Sequence, residues 1–210
     1  MAITGVVIAG GKGSRMGTAR KPLAQLHGHS LIQWVIDRAL PQVDQLVISV
    51  NQDLDAYREL KLPLVTDLSP MQTGPLLGIT AAMAWYLGRH PDRQQATTTA
   101  DDYLACFPAD VPVFPGDLVA QLVELSDHDS DVIVCRTGAQ LQPLFSLWSC
   151  RLLERLQQAV AQGLFGPMQI LPKLRHRMLD IASDRPGAFL NINSKLDLAA
   201  ARQLITPAQR

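Results

Sequence analysis

The segment Ile8-Ala9-Gly10-Gly11-Lys12-Gly13-Ser14-Arg15-Met16-Gly17 sets four glycines and two cations at the end of an apolar, β-branched run, Ile3 to Ala9. Glycine admits positive φ and close backbone approach, so successive N–H groups can point at phosphate oxygens while Lys12 and Arg15 neutralise their charge. Two familiar phosphate loops fail on spacing. A Walker loop needs Ser or Thr after its Gly-Lys pair, where Gly13 stands, and an upstream glycine, where Val6 stands. A dinucleotide GxGxxG begun at Gly11 and Gly13 needs glycine at Met16. Lys21 follows at a distance that lets its ammonium fold back over the same turn. An isolated lysine is ordinarily solvated, and it is the glycine-rich neighbourhood that singles this one out.

Two aspartates stand just beyond other apolar runs. Asp110, in Phe107-Pro108-Ala109-Asp110-Val111-Pro112, is bracketed by prolines that restrict the backbone on both sides. A fixed carboxylate at a strand end suits Mg²⁺, which takes oxygen ligands and keeps waters while bridging to substrate phosphates. Asp67 follows Leu64-Val65-Thr66 and precedes Ser69-Pro70, so a turn-forming role and a ligand role both stay open. Gly74-Pro75-Leu76-Leu77-Gly78 reads as a helix start, compatible with a structural cap and with an anion contact. His27, His29, His90, His128 and His176 are scattered and form no zinc-type spacing.

The elements that must position these groups alternate. Ile3 to Ala9 reads as a strand, Ser30 to Leu40 as a helix, Leu46 to Val50 as a strand, Leu54 to Leu60 as a short helix and Leu62 to Val65 as a strand. A helix at Leu76 to Leu87, an apolar strand at Tyr103 to Phe107, a helix at Asp117 to Leu125 and a strand at Asp131 to Cys135 continue the pattern. Between them Gly88 to Asp102 is polar and aperiodic, which predicts a surface loop. Further on, Arg151 to Gln162 reads as helix, Met178 to Ile181 as a short strand, and Ser194-Lys195-Leu196-Asp197 as a capping sequence opening the last helix. This predicts an α/β fold, a mostly parallel sheet covered by helices, built as one domain over residues 1–210. Ligands of such sheets bind at the carboxyl ends of strands, which directs attention to the loops after Ala9, Val50, Val65 and Phe107.

Composition narrows the partners. Lys plus Arg and Asp plus Glu are 19 each, without long single-sign runs, so no general affinity for nucleic acid or membrane is expected and an anionic ligand must be held locally. Cys106, Cys135 and Cys150 are odd in number and far apart, which argues against a disulfide framework. No uninterrupted apolar run reaches the roughly 18 residues of a spanning helix, and no basic segment precedes the first apolar run. A cytoplasmic protein is expected.

The turn I-A-G-G-K-G-S-R-M-G with Lys21 downstream resembles the signature L-A-G-G-x-x-x-R-M-G plus lysine of the molybdenum cofactor guanylyltransferases, a family of nucleotidyltransferases. Gly74-Pro75-Leu76-Leu77-Gly78 is similar to that family's G-P-L-x-G element, Asp110 to the aspartate of its x-C-D-x-P segment, Gln142-Pro143 to an H-P or Q-P turn, and Phe189-Leu190-Asn191-Ile192-Asn193 to its late F-x-N-x-N element. The resemblance runs from Ile3 to Asp197 and is weakest between Asp117 and Gln142. It implies a Rossmann-like three-layer sandwich of the nucleotide-diphospho-sugar transferase type, and transfer of GMP from GTP to the phosphate of molybdopterin or Mo-molybdopterin. Mg²⁺ is the implied cofactor, and other proteins of molybdenum cofactor biosynthesis are the implied partners. It further implies nucleotide binding by Ile8, Ala9, Gly10, Gly11, Lys12, Lys21, Ser49, Asp67, Gly74 and Asp110, catalysis by Arg15, Lys21 and Asp110, metal binding by Asp110, and acceptor binding by Gln142, Asn191 and Asn193.

The chain departs from the family pattern at Arg20, where an acidic residue is common, at Ser49, where asparagine is common, at Ala109, where cysteine is frequent, and in an enlarged 88–102 segment. These departures bear on base selectivity more than on chemistry. Rival readings are a related enzyme using CTP or another nucleotide on molybdopterin or on a sugar or lipid phosphate, and a nucleotide-binding regulator that transfers nothing.

Overall fold

The structure is a computed structural model and describes residues 1–10, 21–67, 72–94, 102–182 and 186–210. The first strand, β1 (Ile3–Ile8), is followed by a tight hairpin, β2 (Gln25–Leu26) and β3 (His29–Ser30), then by α1 (Leu31–Ala39). Ser30 caps α1 by accepting from the Gln33 amide at 3.3 Å. The chain continues through β4 (Gln45–Ser49), α2 (Leu54–Arg58), β5 (Leu64–Val65), α3 (Pro75–Arg89), α4 (Pro91–Gln94), β6 (Tyr103–Pro108), α5 (Leu118–Glu124) and β7 (Val132–Thr137). Then come β8 (Gln140–Ser149), α6 (Leu153–Ala161), α7 (Pro167–Ile170), β9 (His176–Asp180) and α8 (Lys195–Leu204). Asp197 and Ser194 close the expected capping box at the start of α8.

The main sheet has the order β5-β4-β1-β6-β8-β7-β9. Four of its pairings are parallel, and β8 runs antiparallel between β6 and β7. Strand alternation sends successive side chains to opposite faces. Val7, Leu46, Ile48, Tyr103, Ala105, Phe107, Ile133 and Cys135 join α1, α2 and α5 in one core. Val6, Ile8, Val47, Leu104, Cys106, Val132 and Val134 join α3, α6 and α7 in the other. That is the expected three-layer α/β class, with strands buried on both faces reading as continuous apolar runs. All three cysteines are buried free thiols. Burial pushes the Cys150 and Cys135 thiols up to about 12, so they are inert apolar residues here. Among the described residues no helix is long and apolar enough to cross a membrane.

Three expectations need correction. The family resemblance implies a turn at Gln142-Pro143, yet the pair lies inside β8, the longest strand described. There the register jumps from Val134 opposite Ser146 to Cys135 opposite Gln142. Pro143 falls in that bulge, where its missing N–H costs no ladder bond. Gly88 to Asp102 is not simply a surface loop: α3 extends to Arg89, α4 follows, and Asp102 is buried, accepting from the Ala2 amide and the Tyr86 hydroxyl, each at 2.7 Å. Residues 95–101 lie outside the described set. Finally, the last strand starts at His176 rather than Met178, paired in parallel with β7.

Gly78 lets α3 sit directly on the sheet, since a Cβ there would come within 2.3 Å of the buried Ser49 Oγ and 3.3 Å of Ile8 Cδ1. Overpacking of this kind costs about 1–3 kcal/mol, and the helix propensity gained by alanine returns at most about 1. Gly78→Ala is therefore expected to lower unfolding free energy by about 1–2 kcal/mol in urea titration, and pairing it with Ser49→Gly is expected to recover most of the loss.

Candidate active site

The parallel strands end level with one another. Ile8 pairs with both Ser49 and Pro108, and Ser49 pairs with Val65. Backbone bonds carry the ladder one step further, from Ala9 N to Ser49 O at 2.9 Å, Val50 N to Val65 O at 3.0 Å and Ala109 N to Ile8 O at 3.1 Å. Two residues beyond each strand stands a group able to meet a ligand: Asp67 after β5, Asn51 after β4, Gly10 after β1 and Asp110 after β6. In space they follow the strand order, so Gly10 lies between an Asn51–Asp67 flank and an Asp110 flank.

On the first flank Asn51 and Asp67 grip each other. Asn51 Nδ2 donates to Asp67 Oδ2 at 2.6 Å, and the Asp67 amide donates to Asn51 Oδ1 at 2.8 Å. Partial burial raises the Asp67 pKa above the usual carboxylate value, and the Asn51 amide opposes that rise. A Cβ on Gly10 would approach Asn51 Nδ2 to 3.6 Å, so the glycine-rich turn starts against this pair. Ser49 itself is buried with its hydroxyl against Gly78, and Ile8 and Ala9 are buried at the strand end. Gly74 is held against residue 165: a Cβ would meet Phe165 O at 2.3 Å, and the Leu76 amide already donates to that carbonyl at 2.9 Å.

On the second flank Lys21, at the start of a short 3-10 turn over Lys21–Leu23, forms a salt bridge with Asp110. Its Nζ also donates to Asn193 Oδ1 at 2.6 Å and lies 3.4 Å from Asn191 Oδ1. The ammonium therefore sits in a cradle of three oxygens, with the lysine side chain 12% and the Asp110 side chain 24% exposed. The asparagines arrive there because the Phe189 amide donates to Val113 O at 2.9 Å and the Ile192 amide to Asp110 O at 3.0 Å. Asp197 secures the far side by accepting from the Asn193 and Ser194 amides, both at 2.8 Å. Those bonds, first that of Asn193, hold the Asp197 carboxyl below its usual range.

Gln142 is not on the cradle. Its Nε2 donates to Thr137 Oγ1 at 2.9 Å, and it lines a neighbouring cleft of about 590 Å³ with Thr137, Gly187, Phe189, Leu190 and Leu204. The cleft shares the Phe189-Leu190 segment that leads into Asn191. Gly11, Lys12 and Arg15 lie outside the described residues. Sequence reasoning passed over Asn51 and Asp197; the two-residue offset from the end of β4 was the signal available for Asn51.

The oxygen cradle also tests the fit of a divalent cation. Its donors are hard oxygens, one carboxylate and two amide carbonyls, already converging on a positive charge. Among the described residues no cluster of three or more His, Cys, Asp or Glu could cage an ion. An oxygen donor set of this kind suits a metal that completes its shell with waters and substrate phosphates.

Since the Asn51 amide stabilises the ionised form of Asp67, Asn51→Leu is expected to raise the Asp67 pKa further, read as a shifted carboxyl resonance in an NMR titration. The sign for stability follows. A carboxyl whose folded pKa exceeds its unfolded value contributes stability at low pH and loses it as pH climbs through the folded pKa, so the variant is expected to be more sensitive to that climb than the parent.

Residues 5–178 match the MobA-like NTP transferase domain. The chain is 34% identical over 194 residues to the molybdenum cofactor guanylyltransferase of Vibrio cholerae, covering 92% of this chain and 88% of that protein. Among solved structures it resembles molybdopterin-guanine dinucleotide biosynthesis protein A from Archaeoglobus fulgidus, with a TM-score of 0.74 at 22% identity, covering 95% of this chain and 97% of that one. A Mycobacterium tuberculosis protein solved as a complex with manganese shares the fold, with a TM-score of 0.68 at 16% identity over 98% of this chain and 100% of that one. Matched along nearly its whole length, the chain belongs to the MobA-like NTP transferases, in the family of the molybdenum cofactor guanylyltransferases.

Proposed function

We propose that this protein transfers the guanylyl group of GTP to the terminal phosphate of molybdopterin or Mo-molybdopterin. An acceptor phosphate oxygen bonds to the α-phosphorus, the bond from that phosphorus to the bridging oxygen breaks, and pyrophosphate leaves with the electron pair. The observation that carries the reading is the meeting of Lys21, Asp110, Asn191 and Asn193 at the carboxyl edge of the sheet. The turn and the Asn51–Asp67 flank take the nucleotide, and Asn191, Asn193 and the Gln142 cleft take the acceptor.

A phosphate nucleophile is already anionic, so no general base is needed, and catalysis reduces to in-line placement and charge neutralisation. Lys21 supplies a positive charge at the junction of the two substrates. Lys12 and Arg15 are assigned to the polyphosphate by their place in the turn. Asp110, with nucleotide phosphates and waters, would hold Mg²⁺, which when bound neutralises the charge that develops on the phosphates and the leaving group. Asp67 faces the nucleoside end, where its raised pKa and its Asn51 partner suit hydrogen bonding to a base.

Asp110→Ala is expected to keep the fold and lose turnover by on the order of a hundredfold or more, and Lys21→Ala to lose a comparable factor, measured as pyrophosphate release with molybdopterin present. Near-normal turnover of Asp110→Ala removes that carboxylate from the mechanism. A thermal-shift panel of GTP, CTP, ATP and UTP with Mg²⁺ is expected to give its largest upward shift with GTP, because a ligand selective for the native state raises its melting point. A larger shift with CTP reassigns the nucleotide, and binding of GTP without pyrophosphate release reassigns the protein as a regulator.

A further inference from the structure

Lys21 occupies the cradle that the divalent cation needs. Its ammonium takes Asp110 Oδ2 together with the carbonyl oxygens of Asn193 at 2.6 Å and Asn191 at 3.4 Å. The lysine is 12% exposed, so this is an enclosed contact rather than a solvated surface pair. A metal ion and an ammonium cannot share that carboxylate without like-charge repulsion in a partly desolvated site.

We propose that Lys21 is a built-in stand-in for the metal: it fills the cation cradle in the free protein and leaves it only when a nucleotide phosphate offers its ammonium a replacement anion. The proposal rests on the reading of Asp110 as the metal-holding carboxylate and adds an order of events to it. Metal alone must displace Lys21 without giving its charge a new partner, so it binds weakly. Metal arriving with a triphosphate brings that partner, and the exchange conserves the number of ion pairs. Metal and nucleotide therefore bind with positive coupling, each strengthening the other by the same factor. Departure of the ammonium also frees the Asn191 and Asn193 carbonyls, so the acceptor side becomes available only after the nucleotide has docked. The cradle thereby discourages unproductive capture of either metal or acceptor by the empty enzyme.

The test needs no turnover. Mn²⁺ serves as a paramagnetic probe, and its affinity for the full chain is read by electron paramagnetic resonance of free ion, first without nucleotide and then with GTP against a protein-free Mn²⁺–GTP titration that corrects for chelation by the nucleotide. In the parent protein, Mn²⁺ alone is expected to bind weakly and to tighten markedly with GTP. Lys21→Met, which keeps the apolar stem and removes the charge, is expected to bind Mn²⁺ alone about tenfold more tightly, the range in which a partly buried ion pair competes. The same variant is expected to lose most of the coupling to GTP. Lys21→Arg retains a cation and is expected to keep weak binding of metal alone; Lys21→Gln repeats the neutral case should Lys21→Met melt at a lower temperature than the parent. Unchanged or weaker Mn²⁺ binding in folded Lys21→Met and Lys21→Gln overturns the stand-in role. Asp110→Asn separates the two ideas: retained Mn²⁺ binding in that variant removes the metal assignment itself, whereas its loss, with no tightening in the lysine variants, removes only the proposal.

Discussion

Segments of chain up to 172 residues apart converge on one ammonium. Lys21 comes from the short 3-10 turn ahead of the β2–β3 hairpin, Asp110 from the end of β6, and Asn191 and Asn193 from the segment leading into α8. A protein with no net charge has no general field with which to gather a polyphosphate, so charge must be concentrated at a point. The cradle is where the described residues bring an enclosed cation and its oxygens together at the sheet edge, and the strand register and the segment before α8 fix those oxygens. The register of the parallel strands brings their carboxyl ends level, which places Gly10, Asn51, Asp67 and Asp110 along one edge. The two cores on either face of the sheet keep that edge rigid.

Much of this was legible in the sequence because it rests on local rules. Strands buried on both faces are continuous apolar runs, so β1, β4, β6 and β7 stood out, and proline on either side of Asp110 announced a fixed carboxylate. The Ser194–Asp197 capping box needs only four residues to declare itself. The F-x-N-x-N element around Asn193 stood out by its pattern, and in the structure it reaches the same lysine as Asp110.

What was not legible depends on partners distant in the chain. Pro143 inside an apolar segment reads locally as a break, and only the register shift against β7 shows why a strand tolerates it. Asp102 in a polar stretch reads as solvated, yet the amide of Ala2 and the hydroxyl of Tyr86 satisfy it in the interior. Asn51 looked like one polar residue in a loop until the level ends of β4 and β5 set it beside Asp67. In each case a backbone or polar group is satisfied by a residue that no window of sequence contains.

The segment 189–193 illustrates how such long-range satisfaction sustains local strain. Phe189 adopts a left-handed φ of 57°, a conformation that disfavours a bulky side chain by about 1–2 kcal/mol. Its ring meets Phe145 edge-on with centroids 5.0 Å apart, and Phe145 packs in turn on Phe114 and Phe114 on Phe107. The Phe145–Phe189 pair contributes about 0.5–1.5 kcal/mol beyond burial, which offsets part of the backbone cost. The reversed backbone then turns the chain so that the Ile192 amide reaches Asp110 O and both asparagine side chains face Lys21. Phe145 lies next to the β8 bulge that accommodates Pro143, so the irregularity hardest to foresee from sequence shapes the surface on which the segment 189–193 rests. Strain at Phe189 and irregularity in β8 are two halves of one arrangement, and its product is the position of Asn191 and Asn193.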